Sequence, residues 1–200
     1  MPTLAPHMPE KLAESAFSLF SQRGIKDVNL DAVAAQAGGT KGSLYHHYGS
    51  KKELVIAACN YYYRRWQENI HAELAPLTDP LQRLERVVAC SVRSCIMDPR
   101  NRIFTTEVWA LSIGDEEIRA GWAQFYDTVR ELYIGLLEAA KAAGLVDAGD
   151  PRRAVNLMLT ALEGVKQRAL FEPAICNPAD QRAIVEDLMR ILNAPAPKGV

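Results

Sequence analysis

The stretch Asn29 to Leu54, NLDAVAAQAGGTKGSLYHHYGSKKEL, constrains the fold more than any other part of the chain. It reads as two short helices across a tight turn, followed directly by a long third helix. Ala34, Ala37 and the pair Gly38–Gly39 are small where two helices have to cross closely, and a glycine in the turn supplies the backbone freedom of such a corner. Asn29 and Thr40 each stand where a helix N-cap belongs. The helix after Thr40 carries Lys41, Ser43, Tyr45 and His46 on one face, while Leu44 and Tyr48, four residues apart, point the other way. Ser50 and Glu53 have the spacing of a capping box, so the next helix starts at Lys51. Lysine, serine, tyrosine and histidine donate to phosphates and base edges, and a short helix polar on one side fits a major groove.

The run VAAQAGGTKGSLYHHYGSKKEL resembles the DNA-binding segment of TetR-family transcriptional regulators, and the likeness extends over residues 9 to 60. It implies an all-α chain with an N-terminal helix-turn-helix domain, expected over residues 1–50. A helical regulatory domain for dimerisation and small-molecule sensing is expected over residues 51–200, making about nine helices in all. In that family the polar residues of the third helix and the lysine opening the fourth meet DNA. The resemblance therefore implies DNA contacts by Thr40, Lys41, Gly42, Ser43, Tyr45, His46 and Lys51, with Asn29 placed beside them at the start of the second helix. Residues 38 to 40 read Gly-Gly-Thr where a bulkier residue and a serine are more usual in the family.

Charge distribution agrees with a polyanionic partner although the total does not. The net charge is −1, but residues 1–66 hold eight Lys/Arg against five Asp/Glu, and residues 67–200 hold fifteen against nineteen. A basic head on an acidic body is what a protein presenting one end to DNA would show. A hydrophobic content of 48% supports a packed core. No window approaches the run of ~18–20 apolar residues that a membrane span needs, and no basic start followed by an apolar run opens the chain, so a cytoplasmic location without a membrane partner is expected. The four cysteines, Cys59, Cys90, Cys95 and Cys176, form no metal-ligand spacing, so no metal or other cofactor is expected, and simple burial is favoured over redox sensing.

Helical punctuation continues along the chain. Met1 to Met8 reads as an arm, Pro9 to Gly24 as a scaffold helix, and Lys51 to about Leu74 as a rod joining head to body. A small tilt of such a rod would move the recognition helix and spoil its match to two half-sites. Asp79-Pro80 opens a helix to about Met97, Pro99 breaks it, and Arg102 to Ile113 reads as a short helix. Glu116 to Ala143, Pro151 to Phe171 and Pro178 to Asn193 follow, with Pro195 and Pro197 ending the ordered chain. Val155, Leu159 and Leu162, with Ile184, Leu188 and Ile191, make the last two helices apolar round more than one face, which is expected to serve a homodimer interface as well as a core. Cys90, Met97, Phe104, Trp109, Trp122, Tyr126 and Met158 are expected to line a pocket for a small-molecule effector, with Arg93, Glu107 and Glu163 as polar anchors.

These features converge on a dimeric, sequence-specific regulator that binds an inverted-repeat operator of double-stranded DNA. A repressor released by a small apolar or amphipathic effector is the expected mode. The alternative is a helical adaptor that uses the head for protein contacts and has no effector. An enzyme is the third class, and it is disfavoured because no His-Glu-x-x-His, Gly-x-Ser-x-Gly, Gly-rich phosphate loop or Ser-x-x-Lys occurs.

Overall fold

A computed structural model describes residues 7–194, which contain nine α-helices and no strand. The chain end at Pro195 and Pro197 lies outside the described residues, as does the expected N-terminal arm apart from His7 and Met8. The helices divide into two compact units, one formed from Met1–Gln67 with Ile103–Arg119, the other from Glu68–Arg102 with Ala120–Val200. Most of the fourth helix and a segment from the middle of the chain are grouped with the first three helices in the first unit.

In the first unit, α1 (Met8–Arg23), α2 (Leu30–Gln36) and α3 (Lys41–His47) pack on one another. Leu12, Ala16 and Phe20 of α1 meet the interior together with Val33 and Ala34 of α2 and Leu44 of α3, all buried. The turn between α2 and α3 is closed by two backbone bonds, Gly38 N–H to Ala35 O at 3.1 Å and Gly39 N–H to Ala34 O at 2.9 Å. These are the paired bonds of a Schellman motif, and Gly38 occupies its left-handed position with φ +73°. A second glycine at position 39 lets Met8 approach, since a Cβ there would lie 3.3 Å from the Met8 sulfur.

Helix α4 (Lys51–Leu74) opens with the anticipated capping box: Ser50 Oγ accepts from Glu53 N–H at 3.2 Å, and the Glu53 carboxylate accepts from Gly49 N–H at 2.9 Å. Its Leu54 and Ala58 are fully buried. Phe17 of α1, Tyr62 of α4 and Phe104 of α6 (Pro99–Gly114) form one ring cluster, with Phe17 and Phe104 edge-to-face at 4.9 Å between centroids. The helical run ends at Met97, with Asp98 extended before Pro99, as expected, but the next helix starts at Pro99 and not at Arg102. Pro99 occupies the first turn of α6, where its missing N–H costs nothing, and Asp98 Oδ1 accepts from Arg100 N–H at 2.8 Å.

The second unit is built from α5 (Pro80–Ser91), most of α7 (Glu116–Ala142), α8 (Pro151–Arg168) and α9 (Pro178–Ile191). Asp79, Asp150 and Asn177 cap α5, α8 and α9 through side-chain oxygens, as the Asp-Pro and Asn-Pro pairs predict. Helix α5 does not run on regularly to Met97. From Val92 to Met97 the chain widens into a π-helix, and side chains of the next helix take carbonyls of this segment: Asn101 Nδ2 donates to Ser94 O at 3.1 Å, and Arg102 donates to Ile96 O. The Arg102 guanidinium also reaches Cys176 Sγ at 3.2 Å. Helix α8 ends at Arg168 rather than near Phe171, and a 3-10 turn over Pro173–Cys176 leads into α9. Tyr133, fully buried, bonds Val87 O at 3.1 Å and Ser91 Oγ at 2.8 Å. Burial pushes the Cys59 thiol, in the first unit, up to about 12, which keeps it protonated and unreactive at neutral pH.

A seven-residue helix such as α3 holds its shape only through tertiary anchoring. Leu44→Ala is therefore expected to lower stability by ~2–5 kcal/mol, read by urea unfolding, with the loss concentrated in amide-exchange protection of α2 and α3.

Candidate nucleic-acid interface

The face that α3 turns outward is built from its sequence register. Leu44 goes fully inside, and Tyr48 is held half-buried by donating its hydroxyl to Pro9 O at 3.0 Å. Burial, with the Glu10 carboxylate nearby, raises the Tyr48 phenol above its ordinary value, so it remains a donor. With these two residues inward, Lys41, Gly42, Tyr45, His46 and His47 are exposed and Ser43 is half-buried. Tyr45 leaves 46% of its surface open, a large exposure for an aromatic residue. The His46 and His47 rings stand edge-to-face at 5.0 Å between centroids. The sequence pattern singles out His46 alone for contact, but the exposure of His47 puts a second imidazole on the same surface.

Lys41 lies 3.3 Å from Asp31 of α2, and both side chains are largely in solvent. Such an exposed pair is worth little, so the lysine remains available to a phosphate. Thr40 and Asn29 have local duties instead. Thr40 Oγ1 accepts from Ser43 N–H at 3.1 Å, and Asn29 Oδ1 accepts from Asp31 N–H at 2.9 Å. Lys51, also expected at the DNA surface, lies against the loop before α2. Its ammonium donates to Lys26 O at 3.0 Å and Val28 O at 2.8 Å, so two of its donors are committed to the loop joining α1 and α2.

The residues expected to line an effector pocket are divided between the two units. Phe104 belongs to the ring cluster of the first unit and is fully buried there, while Trp109, one of the most exposed large apolar residues, keeps 50% of its surface open. Glu107 is not a free anchor: its Oε2 accepts from Ile25 N–H at 3.0 Å. Arg93 lies 2.5 Å from Glu73, which also holds Arg86 at 3.1 Å. The hydrogen bond from Arg86 first, with Arg93 adding to it, keeps the Glu73 carboxyl below its usual value. Glu163 pairs at 2.5 Å with Lys166, whose side chain is almost wholly buried. All three expected anchors thus already have partners within the chain: Glu107 and Glu163 as half-buried charges, Arg93 as an exposed one. In the second unit Cys90, Trp122 and Met158 are buried, Met97 and Tyr126 half-buried, and Trp122 lies 5.6 Å from each of the Phe125 and Tyr126 rings.

The residues expected at a dimer interface differ in exposure within the single chain. Val155, Leu159, Leu162 and Leu188 are buried within the single chain, where α8 and α9 pack on each other, and only Ile184 and Ile191 are half-open. A helix apolar on several faces does not announce which of them turns inward. The apolar residue that α8 leaves outward is Leu157, 59% exposed.

Among the described residues no helix is long and apolar enough to cross a membrane, and no group of His, Cys, Asp or Glu is arranged to hold a metal ion. Removing the Asn29 or Thr40 cap by alanine substitution is expected to cost ~1 kcal/mol each in chemical unfolding, with operator affinity falling only as the helix frays.

Comparison with known proteins agrees with this architecture. Residues 12–58 match the bacterial regulatory proteins of the tetR family, and residues 80–192 match the C-terminal region of BetI-type transcriptional repressors. The HTH-type transcriptional regulator BetI of Brucella anthropi is 22% identical over 94% of this chain and 94% of its own length. LmrA of Bacillus subtilis, also an HTH-type transcriptional regulator, is 26% identical over 70% of this chain and 80% of its own. Among solved structures, a transcriptional regulator from Saccharomonospora viridis in complex with choline superposes with a TM-score of 0.82 at 19% identity, covering 91% of this chain and 95% of the other. A TetR transcription regulator from Haloarcula marismortui superposes with a TM-score of 0.81 at 17% identity, covering 92% and 96%. With an N-terminal helix-turn-helix match and a C-terminal match that alone spans more than half of the chain, the protein belongs to the TetR family of transcriptional regulators and is not an enzyme.

Proposed function

We propose that this regulator acts as a homodimeric repressor that reads an inverted repeat in the cytoplasm and is released by a small amphipathic effector. The observation that carries the DNA reading is the outward face of α3, where Lys41, Tyr45, His46 and His47 stand exposed around a buried Leu44. That face offers an ammonium, a phenol and two imidazoles on a helix narrow enough for a major groove. Two heads are needed because one short helix makes too few contacts for genomic selectivity.

Selection of bound duplexes from a random DNA pool tests this directly. An inverted repeat is expected, and a pool that stays random would remove the sequence-specific reading. On the selected duplex, Lys41→Ala is expected to weaken binding and to make the salt dependence shallower by ~1 in log–log slope, while thermal melting stays within a degree or two. Tyr45→Ala should weaken binding without that change in slope. Salt-independent binding to a protein partner would favour the adaptor reading instead.

For the dimer, Leu157 of α8 with Ile184 and Ile191 of α9 are the apolar side chains left open for a second copy. Leu157→Arg should give monomers in sedimentation velocity with the helical content retained. Charges at Leu162 or Leu188, both buried, should unfold the second unit instead of dissociating a folded dimer.

For the effector, the Trp122, Phe125 and Tyr126 ring group supports an organic cation, since aromatic faces attract quaternary ammonium groups. Choline, the ligand of the Saccharomonospora viridis regulator, is the probe of choice. Bound choline should raise the melting temperature and weaken operator binding by linked amounts. A melting curve that choline leaves unmoved would place the effector in another chemical class.

A further inference from the structure

We propose that Glu107 is a positioning residue for the DNA-reading helix, acting through the loop that joins α1 to α2; this rests on the DNA-reading proposal above. The loop leaves α1 at Gly24, in a left-handed conformation with φ +79°, and ends at Asn29, the cap of α2. Its side chains Ile25 and Val28 are buried, so its backbone runs close to the core, where polar groups need partners. Those partners come from two charged side chains distant in sequence. Glu107 Oε2 accepts from Ile25 N–H at 3.0 Å, and Lys51 Nζ donates to Lys26 O and Val28 O at 3.0 and 2.8 Å.

The carboxylate is seated closely as well as bonded. A Cβ added to Gly24 would lie 3.5 Å from Glu107 Oε2, an ordinary van der Waals contact, so the acid lies against this glycine while the left-handed φ is what calls for it. The segment that delivers Glu107 is itself fixed to the head at both ends. One turn earlier Phe104 is buried against Phe17 and Tyr62, and after the end of α6 Asp115 binds Lys52 of α4 at 2.8 Å while accepting the first amides of α7 from Glu117 and Ile118. Glu117 adds a second contact to Lys52 at 2.9 Å.

The loop sets where α2 begins, and α2, through its glycine corner, sets where α3 begins. A carboxylate is repelled by phosphate, so any gain in DNA affinity from Glu107 has to pass through the geometry of the loop rather than through contact.

The test uses the full chain and the duplex recovered by selection. Glu107→Ala removes the acceptor, Glu107→Gln keeps an oxygen at the same reach without the charge, and Glu107→Asp keeps the charge but shortens the reach. Glu107→Ala and Glu107→Asp are each expected to lose ~10-fold in operator affinity, while Glu107→Gln should stay within ~3-fold of the parent. Hydrogen exchange at the Ile25 amide provides a readout that needs no DNA: it should speed up by ~10-fold or more in the alanine and aspartate variants and stay slow in the glutamine variant. A fall in global stability without this pattern would mark a merely structural residue and overturn the proposal. Alanine and glutamine variants equally weak on DNA would also overturn it, and so would an alanine variant binding as tightly as the parent. If selection returns no operator, the DNA reading fails by itself, and the Ile25 exchange pattern still decides whether Glu107 holds the loop.

Discussion

A helix of seven residues such as α3 is too short to be stable in water, and this constraint governs the first unit. Everything that fixes α3 comes from outside its own backbone ladder. Thr40 satisfies an amide at its start, Leu44 buries its inner face, and the Tyr48 hydroxyl ties its end to the beginning of α1. With Leu44 and Tyr48 inward, Lys41, Tyr45 and His46 are left exposed to solvent. A helix held this way presents its donors at fixed positions, which is what base-edge readout needs from a protein surface.

The charged residues of the head divide between two tasks. Lys41 sits in an exposed pair with Asp31 that water and salt weaken, so little opposes its transfer to a phosphate. Lys51 and Glu107 instead take backbone groups of a loop that runs close to the core, where an unpaired carbonyl or amide would be costly. Lysines of the same head are thus left open to solvent or committed to the scaffold according to what faces them. Lys52 completes the pattern, bridging Asp115 and Glu117, and that contact raises its own ammonium pKa while lowering the Asp115 carboxyl.

The second unit shows how a helical domain carries polar groups inside. The π-helical segment from Val92 to Met97 frees carbonyls that Asn101 and Arg102 then occupy, and the buried Lys166 is neutralised by Glu163 one turn away. Arg102 also reaches Cys176, so the turn before α9 is tied to the same place. A widened helix of this kind commonly marks a site where function has been built in.

Sequence alone determined most of the helices, their caps and the glycine corner, because a cap or a Schellman turn is made by atoms within one or two turns of each other, but not the π-helical segment or the start of α6. The Asn29, Thr40, Ser50, Asp79, Asp150 and Asn177 caps all follow from local spacing. The outward face of α3 was legible for the same reason, since one buried leucine at a helical period fixes the rest. What only the tertiary structure decided were pairings across long stretches of chain: Glu107 with Ile25 across 82 positions, and Lys51 with Lys26 and Val28 across 25 and 23. It also decided which stripe of α8 is core, because that helix is apolar on more than one side and hydrophobic burial has no direction until a neighbour supplies one.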